Sequence, residues 1–423
     1  MLLAKGLLQR RPVLAIGLAG VLAQVLNAVL TPVLARIYSP AQFGLFAIYY
    51  AFMAIIAVIS SLRYELAIPL PAERSDAVHL LRVAFWLSQA WALVLFALGL
   101  GFPGSLVPPL DGLRPIWGIT CLGVASIGMY QAITAWALRE QDYLLLAGFR
   151  CQQGALQPAS KLGLGWCGQG AGLILGDVLG RWAANLALVW GVRAELFAWP
   201  GRADRAAWWR QMGRYRAFPL VSGPSGILNA LGLYLPMLLF ARLFSADRVG
   251  LFGLAQTLIG LPVLLIGQGM TQVYTGQAAE LVRRGDPGLS AYLRGTLRKL
   301  LLVGAAPVLL VAGFGPALFA LVFGPKWQGA GDYVRLLTPM YLAQFVASPV
   351  SGTTYLLEAQ GVQLLWDGGR VLVLGLWFAL ATVRAWNDRT ALLMFSLFMG
   401  LMYLINIVLV LTLARSHPGG SHA

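Results

Sequence analysis

The chain has 423 residues, of which 59% are hydrophobic and only 11% charged, with a mean hydropathy of +0.73. So small a polar complement cannot coat a water-soluble globule of this length, which excludes an ordinary soluble enzyme and places the chain in a bilayer. The net charge of +15 would suit a nucleic-acid binder elsewhere, but here the basic residues gather in short connections between apolar runs, the pattern of a multi-pass membrane protein, and no nucleic-acid partner is expected.

The first segment, MLLAKGLLQRR, precedes an apolar run too long for a signal-peptide core and lacking a small-residue cleavage pattern, so the run is read as a first span. Spans are expected near 13–35, 43–62, 83–102, 115–138, 144–166 and 172–192, each long enough for roughly 30 Å of hydrocarbon. A basic connector follows from Arg193 to Arg216, containing RADRAAWWRQMGRYR. It reads as an interfacial amphipathic segment with Trp208 and Trp209 at headgroup level. Six more spans are expected near 217–240, 249–270, 300–323, 333–356, 362–383 and 391–413. The fold class is therefore an all-α integral membrane protein of about 12 transmembrane helices. It divides into a six-helix lobe at 1–192, a basic linker at 193–216 and a second six-helix lobe at 217–423. Lys and Arg residues in alternate connections number 19 on one side and eight on the other. That imbalance puts both termini in the cytoplasm.

One phrase occurs twice: ARIYSPAQFGLF at 35–46 and ARLFSADRVGLF at 241–252. Arg36 and Arg242 each end the first helix of a half, and Gly44 and Gly250 each begin the second. An even number of spans separates the copies, so the halves share one orientation and are parallel repeats about an axis along the membrane normal. A weaker echo, in shifted register, pairs LLLAGFR ending at Arg150 with LLWDGGR ending at Arg370.

Charged groups inside spans are the sharpest functional signal, because each costs at least about 2.5–3.5 kcal/mol at the bilayer centre unless it meets water or a partner. They are Arg150, Lys161, Asp177, Arg181, Asp367 and Arg370. Four cations against two anions suit an anionic ligand, and guanidinium groups match phosphate oxygens in a bidentate way. Structural alternatives stand beside that reading: Asp177 with Arg181 at i,i+4 and Asp367 with Arg370 at i,i+3 are spaced to neutralise each other, and Arg150 and Lys161 are placed to snorkel. Gln152, Gln153, Gln157 and Ser160 make the fifth helix too polar to face lipid. The glycine-rich run GWCGQGAGLILGDVLG follows no strand, so it reads as helix packing and not as a phosphate loop.

RYELAIPLP at 63–71 places Arg63 and Glu65 at a helix end, where Arg63 either anchors the helix or meets an anionic headgroup. In FGPKWQGAGDYVRLLTP at 323–339, Pro325 and the glycines read as a turn and Trp327 as an interfacial anchor. Cys121, Cys151 and Cys167 form no ligand spacing, and His79, His417 and His422 are read as scattered in loops or the tail. No catalytic residue, metal or cofactor is expected.

ARIYSPAQFGLFA, LRYELAIPLP and FGPKWQGAGDYVRLLTPMYLAQFVASPVS together resemble the Wzx-type polysaccharide-biosynthesis flippases of the MOP superfamily. The resemblance runs from about residue 13 to the last helix. It implies a MATE-like fold of two six-helix lobes around a cavity. It also implies a flippase that carries undecaprenyl-pyrophosphate-linked oligosaccharide repeat units of O-antigen, capsule or exopolysaccharide across the bacterial inner membrane by alternating access. On that reading Arg150 and Arg370 bind the pyrophosphate, with Lys161, Arg181, Arg63, Gln153 and Gln157 as further substrate-binding candidates. Asp177 and Asp367 are the carboxylates available for coupling to a proton or sodium gradient. The implied partners are the lipid-linked oligosaccharide, membrane lipids, a polysaccharide polymerase and a chain-length regulator, with the chain working as a monomer. Two rivals stay open. A MATE-like cation or drug exporter would prefer an acidic cavity, and a membrane-embedded polymerase or glycosyltransferase would want carboxylates or a long external loop.

Overall fold

The computed structural model describes residues 12–101, 108–168, 170–197, 202–286 and 288–416. All regular structure among them is helical. The bilayer-length helices are α1 (Pro12–Ile37), α2 (Pro40–Ser60), α3 (Arg74–Gly101), α4 (Trp117–Arg139), α5 (Tyr143–Trp166) and α6 (Gly172–Gly191). Two shorter helices, α7 (Arg193–Phe197) and α8 (Arg202–Arg214), fill the basic connector. Then come α9 (Gly223–Leu243), α10 (Ala246–Arg283), α11 (Leu289–Phe323) and α12 (Gln328–Ala347), a short α13 (Thr353–Leu356), α14 (Gln360–Val383) and α15 (Asp388–Ser416). Among the described residues, nine helices are long and apolar enough to cross a membrane. Helix α5, of similar length, is not among them because it carries Arg150, Gln152, Gln153, Gln157 and Lys161.

The repeated phrase has the same backbone both times. Helix α1 ends at Ile37 and α2 starts at Pro40, while α9 ends at Leu243 and α10 starts at the equivalent Ala246. Ser39 (φ −78°, ψ 160°) and Ser245 (φ −66°, ψ 159°) are both extended N-caps. Only Ser39 forms a capping box. Its hydroxyl accepts from the Gln42 N–H while the Gln42 side chain accepts from the Ser39 N–H, so two orphan donors of α2 are satisfied.

Packing divides the chain into a first unit ending at Arg242 and a second beginning at Leu243. Helix α9 opens the second half of the repeat, yet it packs with the first unit. Tyr234 stands edge-on to Tyr50 with ring centroids 6.1 Å apart, and Gly226 lies under the Arg63 guanidinium. At one end of this unit α3, α4 and α6 bury Leu80, Leu81, Ile133, Trp136 and Leu188 in a common core, on which Trp208 of α8 rests. Trp209, its neighbour in sequence, is 73% exposed, so only one of the two expected interfacial tryptophans faces outward.

In the second unit α10, α11, α12 and α15 share a core around Tyr274, Leu293, Phe345 and Val410. Helices α10 and α11 run well past the apolar windows at 249–270 and 300–323. The extension TQVYTGQAAELVR of α10 is rich in good helix formers, and Tyr274 of α10 stacks on Tyr292 of α11 at 5.7 Å. Hydropathy marks the bilayer core, and these helices continue beyond it.

Two local expectations are corrected. Trp327 is completely buried in a 3-10 turn, Pro325–Trp327, that follows Gly324 at φ +105°, so it packs the unit and does not anchor at the interface. His79 lies in α3 and is buried, because a histidine can be absorbed into a helix face that faces protein. His417 and His422 lie outside the described residues, as does MLLAKGLLQR.

Candidate functional site

In the first unit Gly176 and Gly180 bring α5 and α6 together, while Gly172 closes on the Tyr38 ring. Gly172, Gly176 and Gly180 recur every fourth residue and so share one face of α6. A Cβ on Gly176 would lie 2.6 Å from the Lys161 backbone nitrogen, and one on Gly180 2.5 Å from the Gln157 Cα. No side chain fits there, so the two backbones touch as small residues permit in membrane helices. Asp177, between the last two glycines, is thereby pressed towards α5.

Its carboxylate is almost fully enclosed, at 2% exposure. One oxygen, Oδ1, meets Lys161 Nζ at 2.8 Å and accepts from Gln157 Nε2 at 3.4 Å. The other, Oδ2, meets Arg181 Nε at 2.7 Å and accepts from the Tyr49 hydroxyl at 3.3 Å. The Lys161 ammonium also lies 4.5 Å from the centre of the Phe46 ring, a cation–π contact that compensates part of its desolvation. The group holds two cations and one anion, and therefore carries one net positive charge among largely buried side chains.

The repeated phrase borders this centre. Tyr38, just beyond α1, donates its hydroxyl to the Lys161 carbonyl at 2.6 Å. Burial pushes the Tyr38 phenol pKa up, so it stays a donor. Gln42 donates to the Gly170 carbonyl at 3.1 Å, and Phe46 and Tyr49 follow on α2 at helical spacing.

The second unit carries a smaller centre on α14. Asp367 Oδ1 meets Arg370 Nη2 at 3.2 Å, and its Oδ2 accepts from Gln363 Nε2 at 3.2 Å. Gln363 in turn accepts from the Thr354 hydroxyl at 3.2 Å. The Arg370 guanidinium lies 4.7 Å from the centre of the Trp366 ring and bonds the Tyr403 hydroxyl. Asp367 and Arg370 are 3% and 2% exposed, and their charges balance.

The remaining candidates are not among the side chains that meet Asp177 or Asp367. Arg150 is half-buried with its guanidinium against Gly20 of α1, where a Cβ would come within 3.0 Å of Nη1. Counted from the helix starts, Arg150 stands seven residues after Tyr143 on α5 and Arg370 ten residues after Gln360 on α14. Gln153 is half-buried one turn before Gln157. Arg63 occupies a left-handed turn after α2, with φ of +51° at Leu62 and +65° at Arg63, a conformation costly for side-chain-bearing residues. It sits 3.6 Å from Glu65, which also accepts from Ser61. The Tyr64 hydroxyl reaches the Met212 carbonyl at 3.1 Å, tying this turn to α8.

Tyr38, Phe46, Tyr49, Trp366 and Gln363 escape a search for charged residues. The signal that finds them is spacing: Phe46 and Tyr49 share a face of α2, and Trp366 stands one turn before Arg370. Among the described residues no three His, Cys, Asp or Glu side chains come together as a metal-ligand set.

A family model described as polysaccharide biosynthesis protein matches residues 33–332. No curated protein sequence matches the chain. In fold the chain is similar to a multidrug resistance MATE family transporter of the MOP superfamily in an inward-facing conformation, with 14% identity over 93% of this chain and 94% of that one and a TM-score of 0.64. It is similar also to the lipid II flippase MurJ in an inward closed conformation, with 9% identity over 95% and 88% of the two chains and a TM-score of 0.70. A MOP superfamily transporter from Pyrococcus furiosus, whose binding pocket is described as of reverse polarity, matches at 12% identity over 96% and 94% with a TM-score of 0.51. These likenesses show the fold alone: an all-helical, multi-span architecture like that of those transporters.

Proposed function

The chain belongs to the polysaccharide biosynthesis protein family, and from that premise we propose that it is a flippase for undecaprenyl-pyrophosphate-linked oligosaccharide repeat units of O-antigen, capsule or exopolysaccharide. The observation that carries this reading is the net-positive buried centre of Lys161, Asp177 and Arg181. A cation held in excess inside a membrane protein is costly unless an anion visits it, and a pyrophosphate is such an anion. A cationic drug would be repelled there, which speaks against an exporter of that kind.

The chain acts as a monomer in the bacterial inner membrane with both termini cytoplasmic, and it hands its product to a polysaccharide polymerase and chain-length regulator. Transport proceeds by alternating access of two six-helix lobes, 1–192 and 217–423. Arg150, Arg370 and Arg63 are accessory anion contacts, and Gln153 and Gln157 contact polar groups of the substrate. Of the two buried carboxylates, Asp367 suits proton or sodium coupling better, because one cation neutralises it where two neutralise Asp177.

A deletion strain tests the reading. Lipid-linked repeat units should accumulate on the inner leaflet and return to normal when the wild-type gene is restored. Normal export without the gene, or restoration by the Lys161→Met, Arg181→Met double variant, overturns it.

A further inference from the structure

Helices α11, α12 and α15 of the second unit enclose an open groove of about 640 Å³, within the range of roughly 300–1,000 Å³ usual for ligand sites. The sequence makes it a groove: Pro339 and Ala343 of α12 and Ser396 and Gly400 of α15 form a floor of small residues, while leucines such as Leu301 and Leu401 form the walls. The floor hydroxyl, Ser396, accepts from the Met340 N–H at 3.2 Å and so is already engaged. The only charged group lining the groove is Arg298.

Arg298 lies where the polar start of α11 gives way to the apolar run beginning LLLVGAAPVLLV, which is headgroup depth for a membrane helix. Its side chain is exposed, and it makes no ion pair or hydrogen bond among the described residues. Arg294, one turn earlier on the same face, and Lys299 beside it are exposed too. By helix direction, Arg298 shares the shallow end of the groove with Val346 and Ile407, while Pro339 and Ser396 lie deeper. A guanidinium at headgroup depth above an apolar channel is complementary to a lipid phosphate with its acyl chain beneath.

We propose that this groove is a binding site for one anionic phospholipid of the bilayer, its phosphate on Arg298 and one acyl chain along the floor of α12 and α15. The site is independent of the substrate reading above.

Native mass spectrometry of the full chain in mild detergent tests it, with phosphatidylglycerol, phosphatidylcholine and undecaprenyl phosphate offered together. One phosphatidylglycerol should be retained in preference to the other two. Arg298→Gln replaces an exposed side chain and leaves packing intact. It should lower phosphatidylglycerol retention about fivefold, the effect of one basic residue at a charged lipid surface, without changing phosphatidylcholine. Gly400→Leu, filling the floor where a Cβ meets only ordinary contacts at 3.6 Å from Met340, should abolish retention of both. Unchanged phosphatidylglycerol retention by Arg298→Gln overturns the proposal, and preferred retention of undecaprenyl phosphate overturns it by giving the groove to a prenyl tail.

Discussion

Asp177 in the first unit is gripped by two cations, Lys161 at 2.8 Å and Arg181 at 2.7 Å, whereas Asp367 in the second has Arg370 alone at 3.2 Å. Both carboxylates are buried in helices of bilayer length, and both have an amide from a glutamine as a further donor. The difference is the charge count. A one-to-one pair resembles a structural neutralisation, in which each ion offsets the desolvation of the other. A two-to-one group retains a positive charge that its own fold does not cancel, and that separates a candidate anion site from an internal clasp.

The comparison breaks most visibly when an anion is removed. Asp177→Asn leaves Lys161 and Arg181 side by side without their counter-charge, and stranding buried ions costs about 3–5 kcal/mol. The variant should melt far below the wild type in detergent or fail to accumulate in the membrane. Asp367→Asn strands one cation that keeps Trp366 and Tyr403 as partners, so its loss should be the smaller. Equal losses in thermal melting would remove the distinction between the centres.

Removing a cation sharpens the same contrast. Lys161→Met leaves Asp177 paired with Arg181, the balanced arrangement the second unit already has, so stability should change by no more than about 1 kcal/mol while export of lipid-linked sugar falls. Arg370→Met leaves Asp367 buried without a cation and should cost about 3 kcal/mol. Melting curves read beside a leaflet assay separate the two effects; a Lys161→Met protein with full export would reduce the first centre to a clasp as well.

How far the two centres were legible in the sequence differs in the same way. Asp367 and Arg370 are three residues apart on one helix, and their pairing follows from helical geometry alone. Arg181 is likewise one turn from Asp177. Lys161, whose position in the sequence suits snorkelling, instead pairs with a carboxylate on the next helix, and Tyr49 is 128 positions from the carboxylate it reaches; no local pattern encodes such contacts. The helices themselves were readable from apolar windows and the repeated phrase, since bilayer thickness imposes length. Their polar extensions in α10 and α11 were not, and neither was the burial of Trp327, because an aromatic beside a turn satisfies the interface rule and the core rule equally well.

Glycine packing supplies a third, smaller contrast. Gly180 has no room for a methyl group, its Cβ falling 2.5 Å from the Gln157 Cα, while Gly368 and Gly375 on α14 face nothing within 4 Å. Gly180→Ala should force α5 and α6 apart, costing about 1–3 kcal/mol, and should weaken the Asp177 centre with it. Gly368→Ala and Gly375→Ala should be neutral or slightly stabilising, since alanine gains about 0.8–1.0 kcal/mol over glycine in a helix interior. A stable, fully active Gly180→Ala protein would mean that the α5–α6 contact does not position Asp177.

The finest test returns to the repeated phrase. Both copies hold a serine in the same extended conformation before a helix, but only Ser39 bonds the helix it caps, through the reciprocal exchange with Gln42. Arg248 stands three residues after Ser245 where Gln42 stands three after Ser39, and Ser245 makes no side-chain cap bond. Arg248 instead reaches Asp388 at 3.0 Å. The repeat thus preserves the backbone of the turn while its side chains serve different neighbours: in the first copy Tyr38, Phe46 and Tyr49 border the Asp177 centre, and in the second Arg248 ties α10 to α15. Ser39→Ala should therefore cost about 1 kcal/mol, as lost N-caps typically do, and Ser245→Ala almost nothing. Equal small shifts in melting temperature would show that the capping box contributes no stability and that the conserved backbone alone sets the turn.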